Sequence, residues 1–280
     1  MIRTVAALRA RCDEARSAGQ LVGFVPTMGA FHEGHASLIE RARAETDLLV
    51  VSMFVNPLQF GDPADLERYP RDEPRDLGAA DRLGTDIVFA PALVEMYPDG
   101  DPVVSVDPGP LGERLEGASR PGHFRGVVTV VAKLFHAVGA CRAYFGEKDA
   151  QQVAVIRRMV ADLDEPIEVV ACPIVREPDG LARSSRNALL LPEQREAAGC
   201  LFLALAAAAE MTKAGERHTG PLVAVMAREI GATPQARLDY AAVVDELTFE
   251  EIAQIDGPAR ALVAATFGGV HLIDNLLLPT

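Results

Sequence analysis

Runs of apolar residues alternate with polar stretches of helical spacing along the first two thirds of the chain. Residues 21–25 and 48–54 are almost uninterrupted apolar runs, the pattern of parallel strands covered on both faces. Shorter runs at 87–90, 142–145 and 167–171 repeat it. Between them, residues 5–18, 36–44, 72–83 and 150–163 carry apolar positions at helical spacing with charges on the opposite face. Residues 127–138 are apolar on most sides and predict a buried helix. Strands alternating with helices in this way predict an α/β fold, a Rossmann-like doubly wound parallel sheet.

Proline and glycine crowd residues 97–122, which read as loops around a short strand at 103–106. Beyond Cys172 the pattern changes. Asp179-Gly180 signals a turn, Arg183 to Asn187 a polar loop, and Pro192 a helix start. Helices are expected at 193–213 and 221–230, then strands at 238–244, 261–267 and 270–273, with Gly268-Gly269 as a hairpin turn. The chain thus divides into a Rossmann-like domain, 1–174, and a smaller C-terminal α+β domain, 175–280.

Composition narrows the function classes. The 280 residues carry 27 Lys and Arg against 40 Asp and Glu, a formal charge of −13. Such a surface repels nucleic acid, although a local basic pocket for a small phosphate is compatible with it. Cys12, Cys141, Cys172 and Cys200 form no Cys-x-x-Cys pair, so neither a zinc ribbon nor a thioredoxin-like site is expected, and they read as reduced thiols. Residues 1–11 lack the apolar core of a secretory signal, and the alanine-rich stretch 201–209 is too short to span a bilayer. A soluble, cytoplasmic protein with no membrane partner is expected.

The candidate chemistry centres on Phe24-Val-Pro-Thr-Met-Gly-Ala-Phe-His-Glu-Gly-His35, where a strand turns into a helix. In a parallel sheet such a corner binds anions, because free helix N–H groups point into the crevice beyond the strand ends. His32 and His35 are three apart and share a face if the helix has begun, and Gly34 between them lets a ligand approach the backbone. Metal ligation ranks below phosphate binding, since the other four histidines are scattered. Further polar residues follow predicted strand ends or loops: Gln59, Lys148 with Asp149, and Ser184, Ser185 and Arg186. That collection suits a nucleoside triphosphate. The chain has no Walker-type Gly-x-x-x-x-Gly-Lys, no Gly-x-Gly-x-x-Gly after a first strand and no Gly-x-Ser-x-Gly elbow, which removes three common alternatives.

Five segments in order, Pro26 to His35, Phe54 to Gly61, Gly146 to Gln152, Asp179 to Asn187 and the tail around Leu272-Ile-Asp-Asn275, closely resemble the pantoate–β-alanine ligase family, as does Tyr97-Pro-Asp-Gly100. The resemblance implies that ATP activates the carboxylate of (R)-pantoate as an acyl adenylate, with release of pyrophosphate. The amine of β-alanine then displaces AMP to give pantothenate. It further implies that Met28, Gly29, Ala30, Phe31, His32, Glu33, Gly34 and His35 bind ATP, with His35 as proton donor and His32 near the phosphates. Gln59 and Gln152 would hold pantoate. Gly146, Glu147, Lys148 and Asp149 would form a second nucleotide segment, Lys148 meeting phosphate and Asp149 the ribose. Val175, Arg183, Ser184, Ser185 and Arg186 would close over the triphosphate. Magnesium and a homodimer are implied as well, with Asp76 the nearest matched carboxylate and no ligand assigned. Arg183 stands where the family usually has an apolar residue, Ala150 where it has an aromatic one, and Phe31 where it has leucine.

Overall fold

The computed structural model describes residues 1–279. The chain forms two compact units, residues 1–147 with 155–173, and residues 148–154 with 174–280.

In chain order the first unit and its connecting segment comprise α1 (Val5–Ser17), β1 (Val22–Thr27), α2 (Glu33–Glu45), β2 (Leu48–Met53), α3 (Pro63–Arg68), α4 (Glu73–Arg82), β3 (Ile87–Phe89), α5 (Leu93–Met96), α6 (Glu116–Ser119), α7 (His123–Val138), β4 (Cys141–Gly146), α8 (Ala150–Asp162) and β5 (Ile167–Cys172). The five strands are all parallel and lie in the order β3-β2-β1-β4-β5. This is the doubly wound sheet the alternating pattern predicts. Phe24, Leu49, Val50 and Val51 are fully buried, as strands covered on both faces require. Phe24 meets Phe135 of α7 edge-on, with ring centroids 6.4 Å apart.

The carboxyl edge between β1 and β4 is where the site begins. β1 is central yet contains Pro26, which has no N–H to give to a ladder. Its pairing with β2 runs through Thr27, whereas its pairing with β4 covers only Gly23 and Phe24. The ladder between β1 and β4 therefore ends two residues before Pro26. Strand order also reverses at this pair, since the chain runs outward from β1 to β2 and β3, then returns to β4 and β5. A sheet of this type offers its ligand crevice at such a reversal.

The second unit contains α9 (Pro192–Ala197), α10 (Cys200–Lys213), α11 (Thr219–Gly231), β6 (Ala236–Asp245), β7 (Ala259–Phe267) and β8 (Val270–Leu277). The three strands are antiparallel in sequence order, and α10 and α11 cover one face. Ala204 and Ala208 are fully buried in that core, where their small side chains allow helix and strand to approach closely. Gly268 and Gly269, both at positive φ, make the predicted hairpin turn.

Two sequence expectations are corrected. The helix predicted over 193–213 is two helices, because Ala198 and the poor helix former Gly199 form a turn between α9 and α10. Residues 103–106 are not a strand: Val103 and Val104 are exposed, and no neighbouring strand pairs with them. The short helices α3, α5 and α6 were not anticipated, being too brief to set up a period. All four cysteines are buried free thiols, and burial pushes Cys12 up to about 11 and Cys141 up to about 12. Among the described residues no helix is long and apolar enough to cross a membrane.

Candidate active site

In the first unit, β1 ends at Thr27 and the chain turns through Met28, Gly29, Ala30 and Phe31 before α2 begins. His32 is the N-cap of α2, with Glu33, Gly34 and His35 in its first turn. The two imidazoles form a reciprocal cap. His32 Nδ1 accepts from the Gly34 N–H at 3.1 Å, and His35 Nδ1 accepts from the His32 N–H at 3.4 Å. Their rings lie with centroids 4.1 Å apart and planes tilted by 39°, and the Phe31 ring centroid lies 5.5 Å from that of His35. A neutral histidine that accepts at Nδ1 carries its proton on Nε2. The cap therefore gives both imidazoles the tautomer that is a donor at Nε2, beside a helix N-terminus.

The turn before the cap is held from a distance. Asp76 of α4, only 2 % exposed, accepts from the Ala30 N–H at 2.6 Å and the Phe31 N–H at 2.9 Å. Those bonds fix Ala30 in the left-handed region, φ 54°, which costs a residue with a Cβ roughly 1–2 kcal/mol. Asp76 is thus a brace for the loop. Among the described residues no cluster of three or more His, Cys, Asp or Glu side chains is arranged to hold a metal ion.

Gln59 closes a single 3₁₀ turn, Pro57–Gln59, after β2. Its Oε1 accepts from Asn56 Nδ2 at 3.1 Å, and Asn56 Oδ1 accepts from the Tyr97 hydroxyl at 2.8 Å. Burial and the neighbouring Asp101 raise the Tyr97 pKa, so its hydroxyl stays a donor. The Gln59 carbonyl lies 2.9 Å from His123 Nδ1 and accepts from Arg120 at 3.3 Å. Helix α7 presses on this turn at Gly126, where a Cβ would stand 2.3 Å from the Leu58 carbonyl oxygen. With its acceptor end and backbone fixed, Gln59 presents Nε2–H to Met28 Sδ at 3.1 Å. Sulfur is a weak acceptor, so that donor can be given up to a stronger one. The structure thus brings Met28 and Gln59 together in one unit with the histidine cap.

Gly146 ends β4, and Glu147–Asp149 form a 3₁₀ turn leading into α8. Gly146 and Glu147 fall in the first unit, while Lys148, Asp149 and Gln152 fall in the second. Lys148 Nζ lies 3.5 Å from Asp149 Oδ1, and Gln152 follows in the first turn of α8.

Residues 175–183 of the second unit form a narrow hairpin. The Arg183 N–H donates to the Val175 carbonyl at 2.9 Å, and Glu177 and Leu181 bond across the turn at 2.8 Å. Ser184 then caps a 3₁₀ turn, Ser185–Leu189, its Oγ accepting from the Arg186 N–H at 3.2 Å. Arg183 lies 3.8 Å from Glu177, so the cation that departs from the family pattern has a carboxylate beside it. Glu177 and Asp179 both bind Arg195, at 2.6 and 2.7 Å. Val175, Arg183, Ser184 and Arg186 thus belong to one braced loop.

Sequence reading missed the supporting roles of Asp76, named there only as the carboxylate nearest a magnesium site, and of Asn56, Tyr97 and His123. Tyr97 carried a hint in its Tyr-Pro-Asp-Gly motif, but only the fold reveals which side chains these residues hold. An open depression of about 890 Å³ lies at the opposite, amino edge of the sheet, lined in part by Arg16, Arg142, Glu165 and Glu168. Arg142 is paired with Glu168 there, and Arg16 with Asp13 and the Val138 carbonyl. It offers no comparable set of convergent donors.

The family model described as pantoate-β-alanine ligase matches residues 1–277. Pantothenate synthetase of Roseiflexus sp. (strain RS-1) is 53 % identical over 279 residues, 99 % of each chain. The same enzyme of Thermotoga neapolitana is 48 % identical over 278 residues, again 99 % of each. A crystal structure of pantothenate synthetase from Thermus thermophilus superposes with a TM-score of 0.91 at 48 % identity and covers 99 % of both chains. Pantoate-β-alanine ligase from Francisella tularensis, described as complexed with β-γ ATP and β-alanine, superposes with a TM-score of 0.80 at 33 % identity, covering 99 % of this chain and 96 % of that one.

Proposed function

The chain belongs to the pantoate–β-alanine ligase family, and from that premise we propose that it condenses (R)-pantoate with β-alanine in two steps driven by ATP. The pantoate carboxylate attacks the α-phosphorus and pyrophosphate leaves. The β-alanine amine then attacks the acyl carbon of the adenylate, and AMP leaves. The observation that carries this reading is the pair of capped imidazoles, both donors at Nε2, at the start of α2, with the Gln59 amide on Met28 of the turn that leads into them.

Each group has a task its chemistry suits. Negative charge moves onto the pyrophosphate as the α-phosphorus is attacked. A helix terminus alone contributes only about 0.3–1 kcal/mol at an exposed site. One well-aimed donor in a dry site contributes about 2.7–4 kcal/mol to transition-state stabilisation, so side chains must do most of the work. His32 and His35, Lys148 and Arg186 are the donors we assign to it, with Met28 to His35, Gly146 to Asp149, Val175 and Arg183 to Arg186 enclosing ATP. His35 would donate its proton, and Asp149 would meet the ribose. Gln59 and Gln152 would orient pantoate: an amide supplies both donor and acceptor and leaves the attacking carboxylate its charge. That nucleophile needs no general base. Magnesium bound with the nucleotide would supply positive charge that offsets the phosphates, and no side chain of this chain is assigned to hold it. We further assign the cytoplasmic location that the sequence reading expects and the homodimer that the family resemblance implies; sedimentation of the purified chain would test the homodimer.

Release of AMP should require both pantoate and β-alanine, and ATP–pyrophosphate exchange should require pantoate alone. Binding of ATP without turnover under either condition would overturn the assignment.

A further inference from the structure

Asn275 on β8 is 1 % exposed, and its amide spans two partners. Nδ2–H donates to the backbone carbonyl of Lys148 at 3.0 Å, and Oδ1 accepts from Arg260 Nη1 at 2.5 Å. The partners fix which end of the amide is which, because a carbonyl only accepts and a guanidinium only donates. Arg260 is itself buried and clamped by both oxygens of Glu246, at 2.7 and 2.8 Å. The preceding residue, Asp274, faces the other side of the strand and binds Arg176 through two bonds, at 2.6 and 3.0 Å. Arg176 opens the hairpin that carries Arg183 to Arg186. Two consecutive residues of one strand therefore anchor both segments of the second unit that the proposed function assigns to the nucleotide.

The bond to Lys148 is the more telling of the two. Lysine is a flexible stem ending in a point charge, so its reach is set by where its backbone is held. The Lys148 carbonyl lies in the 3₁₀ turn that connects β4 to α8. A donor fixed on that oxygen, 127 positions away in sequence, sets the peptide plane that follows Lys148. Asparagine suits this place: aspartate has no donor for the carbonyl, leucine has neither group, and glutamine is longer.

We propose that Asn275 is a positioning residue for Lys148, holding its main chain so that the ammonium meets the triphosphate during adenylate formation. The proposal rests on the reading of Lys148 as a phosphate-binding residue. The test is a double-mutant cycle on the full chain, read by pantoate-dependent exchange of labelled pyrophosphate into ATP. Asn275→Asp keeps the shape and the acceptor for Arg260 and removes the donor. It should slow exchange by about tenfold or more, since misplacing a catalytic group by an ångström can cost about a hundredfold. The pantoate concentration for half-saturation should move less than about twofold, and in a Lys148→Ala background Asn275→Asp should add less than about twofold, because the two act as one unit. Losses that multiply, or an Asn275→Asp rate equal to the parent's while Lys148→Ala is impaired, would overturn the positioning role alone. Parental exchange in Lys148→Ala would overturn the phosphate role and this proposal with it. If Asn275→Asp lacks the parent's cooperative unfolding transition, Arg260→Lys loosens Asn275 from its other end and is carried through the same cycle with the same criteria.

Discussion

At the scale of single residues, the carboxylate of Asp76 makes the clearest claim. It lies 46 positions from Ala30 and serves two backbone N–H groups of the turn that precedes the histidine cap. Replacing it with alanine leaves two donors with no acceptor in a buried place, each costing about 1–3 kcal/mol. Asp76→Ala should therefore lose about 2–6 kcal/mol in urea unfolding and weaken ATP binding; an unchanged midpoint would show that the turn holds itself. Lys148 and Gln152 make a contrasting pair. A group that meets charge developing on the pyrophosphate acts in the transition state, so Lys148→Ala should lower the rate of adenylate formation far more than it weakens pantoate binding. Gln152→Ala should chiefly raise the pantoate requirement, because an orienting amide binds ground state and transition state alike. Equal losses in both parameters for Lys148→Ala, or an unchanged pantoate dependence for Gln152→Ala, would contradict these roles.

At the scale of elements, the fit of α7 against the Pro57–Gln59 turn leaves no room for a side chain at position 126. Gly126→Ala must push helix and turn apart, and the hydrogen bond from Asn56 to the Gly126 carbonyl, 3.1 Å long, goes with the shift. We expect a raised pantoate KM with a modest fall in stability, measured by steady-state kinetics and thermal unfolding. Unaltered kinetics would mean that Gln59 does not depend on this packing. The same contact explains what sequence could and could not reveal. Strands β1, β2 and β3 were legible because each lies in a nearly unbroken apolar run, and the histidine corner because its proline, glycines and imidazoles are neighbours in sequence. The braces were not, because Asp76, Asn56 with Tyr97, and Asn275 act on partners 46, 41 and 127 positions away. Residues 103–106 misled for the converse reason: valines favour a strand locally, yet a strand exists only where a neighbour completes its ladder.

At the scale of the whole molecule, acid should act on the hairpin of the second unit through one cation. The Arg195 guanidinium binds Asp179, and that hydrogen bond holds the carboxyl below its ordinary 3.8. Burial pushes Glu177 up, but the hydrogen bonds from Arg195 and Asn187 outweigh it, so its pKa lies below 4.5. When the folded pKa is lower than the unfolded one, the unfolded chain binds more protons in the interval between them, and stability rises with pH there. The contribution is present in full above the unfolded values and is lost as pH falls through the folded ones. Glu177→Gln removes one of these charges while keeping a similar shape. The parent should therefore unfold at a higher temperature than Glu177→Gln above about pH 5, and the gap should close as pH falls through the lowered folded-state value and the parent's carboxylate takes up its proton. Partial exposure of the group keeps the gap small, and added salt should narrow it further. A difference that persists unchanged, or widens, in acid would mean that Glu177 contributes through packing and not through its charge.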